Sequence, residues 1–340
     1  MKLKMTARAK SGITRAEVVI VVAVALALAG AVWCVARSDF FGTRGPHLNP
    51  EASFRERPRL VPRELVRYKK VLTIPTGLAA AAALAVGPDD RIYVAGDGTV
   101  GVWDKAGNPL SAALTGLGAE PRCVAVGKDG SIYLGVGSGV EVYSSAGRHV
   151  RALPQCPEEG LVNRIVLHPR GIFVAVHRST KSGFIVQYDA SGELQRVITL
   201  AETTLLNRLL DVAATDDGLR VTDPGAVDAG RIRVYDYDGR RKYAWGDYDT
   251  TGDLRDFTGC CNPVHLAALP DGRIVAAEKG DQTIVKVYHK DTAEDRGRLE
   301  SIVAELKGAA GLDLAVDSRQ RILVLDTDSS AVFVFERTGN

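Results

Sequence analysis

Two features of the sequence predict an all-β protein, a six-bladed β-propeller preceded by one N-terminal transmembrane helix. The first is a frame of short apolar strands and tight polar turns that recurs six times, at intervals of 40 to 54 residues. Repeats of this length with several strands each are typical of propeller blades. The second is an uncharged run of 19 residues near the amino end, which is about the length that crosses a hydrocarbon core as a helix.

The amino-terminal segment divides into a stub at 1–17, the apolar run at 18–36 and a linker at 37–65 that contains several prolines. Five basic residues precede the apolar run, and cytoplasmic flanks are enriched in Lys and Arg. This predicts a single-pass membrane protein with a cytoplasmic amino terminus and an extracytoplasmic propeller, either periplasmic or extracellular. A cleaved signal peptide is the alternative, with Ala27-Leu28-Ala29 as its cleavage site.

Residues 12–17, GITRAE, followed by the apolar run, resemble the leader of type IV prepilins. In that family a peptidase cuts after Gly, and a Glu five residues later lies beside the apolar helix. Gly12 and Glu17 match this spacing, whereas Ile13 stands where Phe is usual and Arg15 where an apolar residue is usual. The resemblance implies cleavage after Gly12, and the competing interpretation is a charged cytoplasmic stub.

The repeat is clearest between the first two frames. Residues 84–109 read LAVGPDDRIYVAGDGTVGVWDKAGNP, and residues 124–149 read VAVGKDGSIYLGVGSGVEVYSSAGRH. Both contain short apolar strands separated by Gly and Asp turns, the pattern of successive hairpins. The middle residues of the six first strands are Ala85, Ala125, Val166, Ala213, Ala267 and Ala315.

The two ends of the repeat region, at 66–340, predict how the ring closes. The sixth frame stops soon after its third strand, and residues 67–75, RYKKVLTIP, form a strand pattern without a blade of its own. We expect this strand to complete the sixth blade, because closure removes an exposed sheet edge. The stretches 192–208 and 292–307 look helical and are predicted to be insertions between blades.

The blade pattern carries a family resemblance. Residues 314–335, LAVDSRQRILVLDTDSSAVFVF, follow the pattern of NHL repeats closely, and 266–288 nearly so. Residues 66–340 therefore resemble the NHL-repeat family of six-bladed propellers. The resemblance implies a binding module, although a minority of related six-bladed rings are lyases or lactonases.

Three acidic residues recur at one position of this pattern, after the second strand of the last three blades: Asp223, Glu278 and Asp326. In the first three blades the position holds Gly96, Val136 and Val176. The acidic residues are interpreted either as calcium ligands or as acceptors that hold a turn between strands, the second being favoured.

The start of each innermost strand is predicted to lie at the mouth of the central channel. The residues at this position are Ala83, Cys123, Arg164, Asp211, His265 and Asp313. Ionisable groups that converge on one axis can form a binding pocket, so Arg164, Asp211, His265 and Asp313, together with Cys123, are the candidate binding residues. The alternative is that these side chains cap their strands or pair with one another.

A second candidate is the adjacent pair Cys260 and Cys261, shortly before His265. The two thiols could form a vicinal disulfide, remain structural, or bind a soft metal with His265 and Cys123. The sequence identifies no cofactor and leaves the metal open.

Charge excludes one class of partner. Residues 1–37 carry six Lys and Arg against one Glu, which leaves 37 basic and 40 acidic residues in 38–340. A nucleic-acid-binding domain needs a basic surface that neutralises phosphates, so we expect no nucleic-acid partner. The favoured function is a membrane-anchored extracytoplasmic module that binds a protein or a small ligand. The alternative is a lyase- or lactonase-like enzyme that uses His265 as acid and base.

Overall fold

A computed structural model describes Val24 and residues 59–340, apart from 112, 157, 180–181, 201–209, 224–230, 250, 260, 281, 293–294, 304–305, 310 and 340. The chain divides into two units, Met1–Arg55 and Glu56–Asn340. Val24 is helical and exposed. The rest of the predicted stub and transmembrane helix, the prepilin-like leader and the linker up to residue 58 lie outside the described residues. Within the described part, no helix is long and apolar enough to cross a membrane.

The second unit is an all-β, six-bladed propeller, as predicted. A short 3-10 helix, Arg63–Leu65, precedes the strands. The strands from the closing strand to the end of blade three are β1 (Tyr68–Pro75), β2 (Ala81–Val86), β3 (Ile92–Gly96), β4 (Thr99–Trp103), β5 (Cys123–Val126), β6 (Ile132–Val136), β7 (Gly139–Tyr143), β8 (His149–Ala152), β9 (Leu161–His168), β10 (Gly171–Ser179), β11 (Ser182–Tyr188) and β12 (Leu194–Thr199). The strands of blades four to six are β13 (Val212–Thr215), β14 (Gly218–Thr222), β15 (Ile232–Tyr235), β16 (Arg241–Trp245), β17 (His265–Ala268), β18 (Ile274–Glu278), β19 (Gln282–Tyr288), β20 (Leu299–Ile302), β21 (Leu306–Lys307), β22 (Leu312–Val316), β23 (Ile322–Asp326) and β24 (Ala331–Arg337).

Each blade is an antiparallel sheet that begins with its innermost strand. Blade one contains β2–β4, blade two β5–β8, blade three β9–β12, blade four β13–β16 and blade five β17–β20, with β21 beside β19. Blade six contains β22–β24 and is completed by β1. Tyr68 pairs with Arg337 and Pro75 with Ala331, so the predicted closure by 67–75 is confirmed.

The ring has two ends. We call the end where the innermost strands begin the mouth face, and the end that carries the hairpins between first and second strands the turn face. Strand register fixes this assignment: His265, at the start of β17, pairs with Ala277 near the end of β18. Ile274, at the start of β18, pairs with Tyr288 at the end of β19.

The core consists of six hydrophobic clusters, one at each interface between neighbouring blades. The interface between blades six and one packs Leu84 and Val94 against Leu325 and Val332, with Ile74 of β1 beside them. Because burial of apolar surface is the dominant favourable term in folding, every blade is stabilised from two sides, including the first and the last.

Where the structure describes the two predicted helical insertions it shows strands, whereas residues 201–208, 293–294 and 304–305 of these stretches lie outside the described residues. The stretch 192–208 contains β12, and 292–307 contains β20. β12 forms the outer edge of its sheet, and all of its residues except Ile198 are exposed or partly buried. A strand that is covered on one side only needs few apolar residues, so its composition does not distinguish it from a polar helix.

Candidate functional site

The candidate residues lie at one level of the ring, as their common register predicted. Cys123, Arg164, His265 and Asp313 pair with second-strand residues at equivalent positions. The backbone N–H of Asp211 donates to Oγ1 of Thr222 in the corresponding strand of blade four. The strands do not all begin there, since β9 starts at Leu161, three residues before Arg164.

Arg164 reaches across the channel from blade three. Its Nη1 lies 2.5 Å from Oδ1 of Asp313, and its Nη2 donates to the carbonyl oxygen of Leu314 at 2.8 Å. Both partners belong to blade six, which is opposite blade three in the ring. Nε of Arg164 is 3.4 Å from Oδ1 of Asp211 in blade four. The guanidinium therefore bridges three blades and closes the channel at the mouth face.

The two carboxylates join neighbouring blades. Oδ2 of Asp313 accepts a hydrogen bond of 2.7 Å from the backbone N–H of Leu84 in blade one. Oδ2 of Asp211 accepts one of 3.0 Å from the N–H of Leu266 in blade five. Burial would raise the pKa of Asp211, but the charge of Arg164 and the hydrogen bond with His265 outweigh burial and hold this pKa below its usual range.

His265 completes the cluster. Its Nδ1 lies 2.9 Å from Oδ2 of Asp211 and 3.7 Å from Oδ1 of Asp313. The side chain of His265 is 21% exposed, whereas those of the two aspartates are 5% exposed or less. Because its side chain is the most exposed of the four, His265 is the member of the cluster that is best placed to meet solvent. A carboxylate that orients an imidazole is also an arrangement used in acid–base chemistry.

Cys123 lies at the same level, but its thiol is packed inside the ring. It belongs to the apolar cluster between blades two and three, with Val162 and Val140. A Cβ on Gly135 would lie 2.4 Å from its Sγ, so the opposing strand accommodates the thiol only because residue 135 is Gly. Burial raises the pKa of Cys123 to about 12, and a protonated thiol is neither a nucleophile nor a metal ligand.

The second candidate lies partly outside the described residues, because Cys260 is not among them. Cys261 is half-buried, and the loop that holds it is tied down by Asn262, whose Nδ2 donates to the carbonyl oxygens of Thr258 and Lys279. The vicinal disulfide and the soft-metal site stay predictions. Among the described residues, no group of three or more His, Cys, Asp and Glu side chains is arranged to hold a metal ion.

The central channel continues from Arg164 toward the turn face. It has a volume of about 260 Å³ and is lined mainly by Ala, Val and Leu of the innermost strands. Pockets that bury small-molecule ligands usually measure about 300–1,000 Å³. The channel is therefore small for a ligand, and its end at the mouth face is occupied by the charged cluster.

The three recurrent acidic residues, Asp223, Glu278 and Asp326, have different partners. Asp326 holds a turn, since its carboxylate accepts from the N–H of Asp328 and from Oγ of Ser329; the favoured interpretation is confirmed there. Asp223 instead lies 2.5 Å from Nη2 of the buried Arg233. Glu278 binds two buried cations that the sequence did not single out.

These cations are Arg59 and Lys286. Nη2 of Arg59 lies 2.6 Å from Oε2 of Glu278, and Nζ of Lys286 contacts Oε1. Arg59 precedes the first strand by nine residues, and Gln282 of β19 bonds both its backbone N–H and its carbonyl oxygen. The segment before the ring is thus attached to blade five at the mouth face.

Comparison with known proteins shows the fold. A streptogramin B lyase structure superposes with a TM-score of 0.53 at 11% identity, over 80% of this chain and 98% of that one. The WD40 propeller domain of Doa1 gives a TM-score of 0.49 at 17% identity, over 79% of this chain and 97% of that one. No family model matches the sequence, and no curated protein matches it.

Proposed function

We propose that the protein is a membrane-anchored extracytoplasmic β-propeller, similar to NHL-repeat proteins, that binds a protein partner across its mouth face. The membrane anchor rests on the uncharged run at 18–36 and the basic residues before it. The NHL likeness rests on the strand and turn pattern of the last two blades.

The hydrogen bonds and ion pairs within the charged cluster of Arg164, Asp211, His265 and Asp313 favour a binding module over an enzyme. Asp211 and Asp313 each accept a backbone N–H from the following blade, and both lie beside Arg164. Carboxylates engaged in this way are paired and hydrogen-bonded, as buried structural charges need to be. With the channel mouth filled, the mouth face offers a surface rather than a pocket, which suits a macromolecular partner better than a small ligand.

The lyase- or lactonase-like enzyme is the second candidate, and one observation favours it. His265 keeps part of its ring exposed while Asp211 holds Nδ1. An imidazole oriented in this manner can act as acid and base toward a substrate above the mouth face.

Thiol labelling tests the orientation. Leu60 is 90% exposed, so we expect Leu60→Cys in the full chain to react with a membrane-impermeant maleimide in intact spheroplasts, above the background of the unmodified protein. Labelling of Leu60→Cys that requires lysis would reverse the proposed orientation.

Photo-crosslinking tests the binding face. Arg122 and Lys128 are exposed at opposite ends of β5, one at the mouth face and one at the turn face. With a photo-crosslinking amino acid at 122, we expect a light-dependent protein adduct in spheroplasts, and none from 128. No adduct from 122, or equal adducts from both, would contradict a protein partner on the mouth face.

A further inference from the structure

The arginine that precedes the ring, Arg59, occupies a pocket in blade five at the mouth face. Its side chain is buried. The hairpin between β18 and β19 supplies Glu278 and Gln282, and the loop between β16 and β17 supplies Asp249 and the carbonyl oxygen of Asp256. The next residue of the chain, Leu60, is 90% exposed, so the pocket opens to the surface where the chain leaves it.

The pocket recognises the guanidinium group of Arg59. Nη1 and Nη2 donate to Oε1 and Oε2 of Glu278 at 3.2 Å and 2.6 Å, and Nη1 also donates to the carbonyl oxygen of Asp256 at 3.2 Å. A planar cation with several fixed N–H groups meets a carboxylate at two points in this way, whereas the ammonium of a lysine is a point charge. The pocket therefore selects arginine over lysine.

The charges of the pocket require a cation. Glu278 and Asp249 bring two buried carboxylates, and Lys286 of β19, which contacts Glu278, brings one positive charge. Departure of Arg59 leaves a negative charge in excess among these buried groups. Buried charges are tolerated only when they are paired, so the vacant pocket would favour a second guanidinium of the same shape.

Gln282 recognises the main chain of the same residue. Its Oε1 accepts the backbone N–H of Arg59 at 3.0 Å, and its Nε2 donates to the carbonyl oxygen of Arg59 at 3.0 Å. A side-chain amide that meets both groups acts on this residue as a neighbouring strand acts on an extended peptide. The pocket thus recognises one whole arginine residue within a peptide chain, and places no requirement on the exposed residue that follows.

The segment between Arg59 and β1 depends on Arg59 for its attachment. Within residues 59–67, Arg59 is the single buried residue, and the 3-10 helix Arg63–Leu65 buries none. In the part of the chain that the structure describes, no hydrogen bond joins residues 60–65 to the ring, and the next contact is the pairing of Val66 with Ile302. Segments with few buried contacts open locally more readily than the core. Opening of this segment costs mainly the contacts of Arg59, and another arginine in the pocket would restore them.

We propose that this pocket binds an arginine residue of the protein partner, and that Arg59 occupies it in competition with the partner. Residues 59–66 are then a strap that the partner displaces. The proposal rests on the protein-binding function of the mouth face and names the chemistry of the partner, an extended segment with an exposed arginine. Because the strap fills the pocket, the apparent affinity for the partner is reduced by the fraction of molecules in which the strap is released.

Peptide binding to the full-length protein in detergent tests the pocket. The probe is the capped peptide Pro-Arg-Leu-Val, the sequence of residues 58–61, and the controls carry citrulline or lysine in place of arginine. By calorimetric titration, we expect Arg59→Ala to bind the arginine peptide at least ten times more tightly than either control peptide, and at least ten times more tightly than the wild type does. Equal binding of the citrulline peptide, equal binding by the wild type, or no binding to folded Arg59→Ala would contradict the proposal.

A matched pair of glutamine variants tests the location. In the Arg59→Ala background, we expect Gln282→Ala to weaken binding of the arginine peptide at least fivefold, because it removes both contacts with the main chain. Gln195→Ala is the control, since Gln195 is exposed on β12 of blade three. Equal weakening by the two variants, or none by Gln282→Ala, would show that the peptide binds elsewhere.

Proteolysis tests the competition in the wild type, where no variant has to fold. Glu64 lies within the strap and is exposed. Cleavage follows the population of the locally open chain, so cleavage after Glu64 by a glutamate-specific protease measures release of the strap. We expect the arginine peptide at millimolar concentration to raise the initial rate at least threefold, and the citrulline peptide to leave it unchanged. Equal rates with the two peptides would rule out displacement of the strap.

The outcomes are separable from those of the crosslinking experiment at residue 122. Crosslinking reports whether a protein partner binds the mouth face, whereas the peptides report on the pocket without that partner. Failure of the pocket to bind the arginine peptide is therefore distinguishable from the absence of a partner.

Discussion

Buried aspartates at the mouth face act as ties between blades. Asp313 links blade six to blade one through the N–H of Leu84, and Asp211 links blade four to blade five through the N–H of Leu266. Arg164 neutralises both carboxylates, that of Asp313 from across the channel and that of Asp211 from the neighbouring blade. Charges that are this deeply buried are tolerated only when they are paired and hydrogen-bonded, so the cluster works as one unit.

Removal of one tie should be costly. Asp313→Ala leaves the N–H of Leu84 without its acceptor and Arg164 without its closest carboxylate. We expect a loss of about 3–5 kcal/mol in the free energy of unfolding, as for other buried pairs that lose one member. Asp238→Ala is the control, since Asp238 pairs with Arg196 in an exposed ion pair that should contribute less than about 1 kcal/mol. Urea unfolding measures both, and similar losses would contradict the role of Asp313 as a tie.

Lys286 contributes a pH dependence. It is fully buried, and burial lowers its pKa to about 8 although Glu278 acts to raise it. An unfolded Lys has a pKa of about 10.4. Between these values the unfolded chain holds a proton that the folded chain has released, so stability rises with pH in this window.

We therefore expect the wild type to gain about 2 kcal/mol between pH 7.5 and pH 10 relative to Lys286→Met. Denaturant unfolding at the two pH values measures the difference. Lys128→Met, which replaces an exposed Lys, should follow the wild type. Parallel pH profiles for the wild type and Lys286→Met would show that burial does not shift this group.

Residues that the sequence predicted and residues that it missed differ in one respect. Arg164, Asp211, His265 and Asp313 occupy equivalent positions of the repeat, and the period-2 alternation of strands fixes their level in the ring. Arg59 is outside the repeat and reaches blade five only after folding. Its sequence signal is limited to its place in a proline-containing, basic stretch, so no spacing argument could have paired it with Glu278.

At the scale of elements, the sequence predicted the inner three strands of each blade and the closing strand β1, but it did not predict the outer strands β12 and β20. β22, β23 and β24 consist mainly of buried apolar residues, and the turns between them contain Asp and Ser. The outer strands β8 and β12 lie at the rim of the ring, and most of their residues are exposed or partly buried. Packing therefore restricts the composition of these two strands only weakly, which is why the stretch that contains β12 was predicted to be a helical insertion.

The same kind of Asp turn follows the third strand in three of the blades. Asp104, Asp189 and Asp236 each follow the third strand of a blade, and each accepts the backbone N–H groups two and four residues ahead. An Asp at this place mimics a backbone turn. In blades three and four this turn joins the third strand to the fourth, so the connection is visible in the sequence even when the fourth strand is not.

At the scale of the whole molecule, one strand turns an open stack of blades into a ring. β1 comes from the amino end of the propeller and pairs with β24 at its carboxyl end. Tyr68 and Ile74 of β1 are each 2% exposed and belong to the clusters that flank blade six. Because of this pairing, the stability of the last blade depends on a strand that is covalently joined to the first.

Truncation at two points separates closure from attachment of the preceding segment. A chain that starts at residue 67 loses Arg59 and the 3-10 helix but keeps β1, whereas a chain that starts at 76 also loses β1. We expect the second truncation to unfold at least about 10 °C below the first, because it uncovers the edge of β24 and removes Tyr68 and Ile74 from the core.

The chain that starts at 59 is the reference for both truncations. Thermal unfolding followed by circular dichroism measures the difference, and the exposed edge of the second truncation should make it aggregate as well. Equal melting temperatures for the chains that start at 67 and 76 would mean that the interfaces between blades hold the ring together without the strand that closes it.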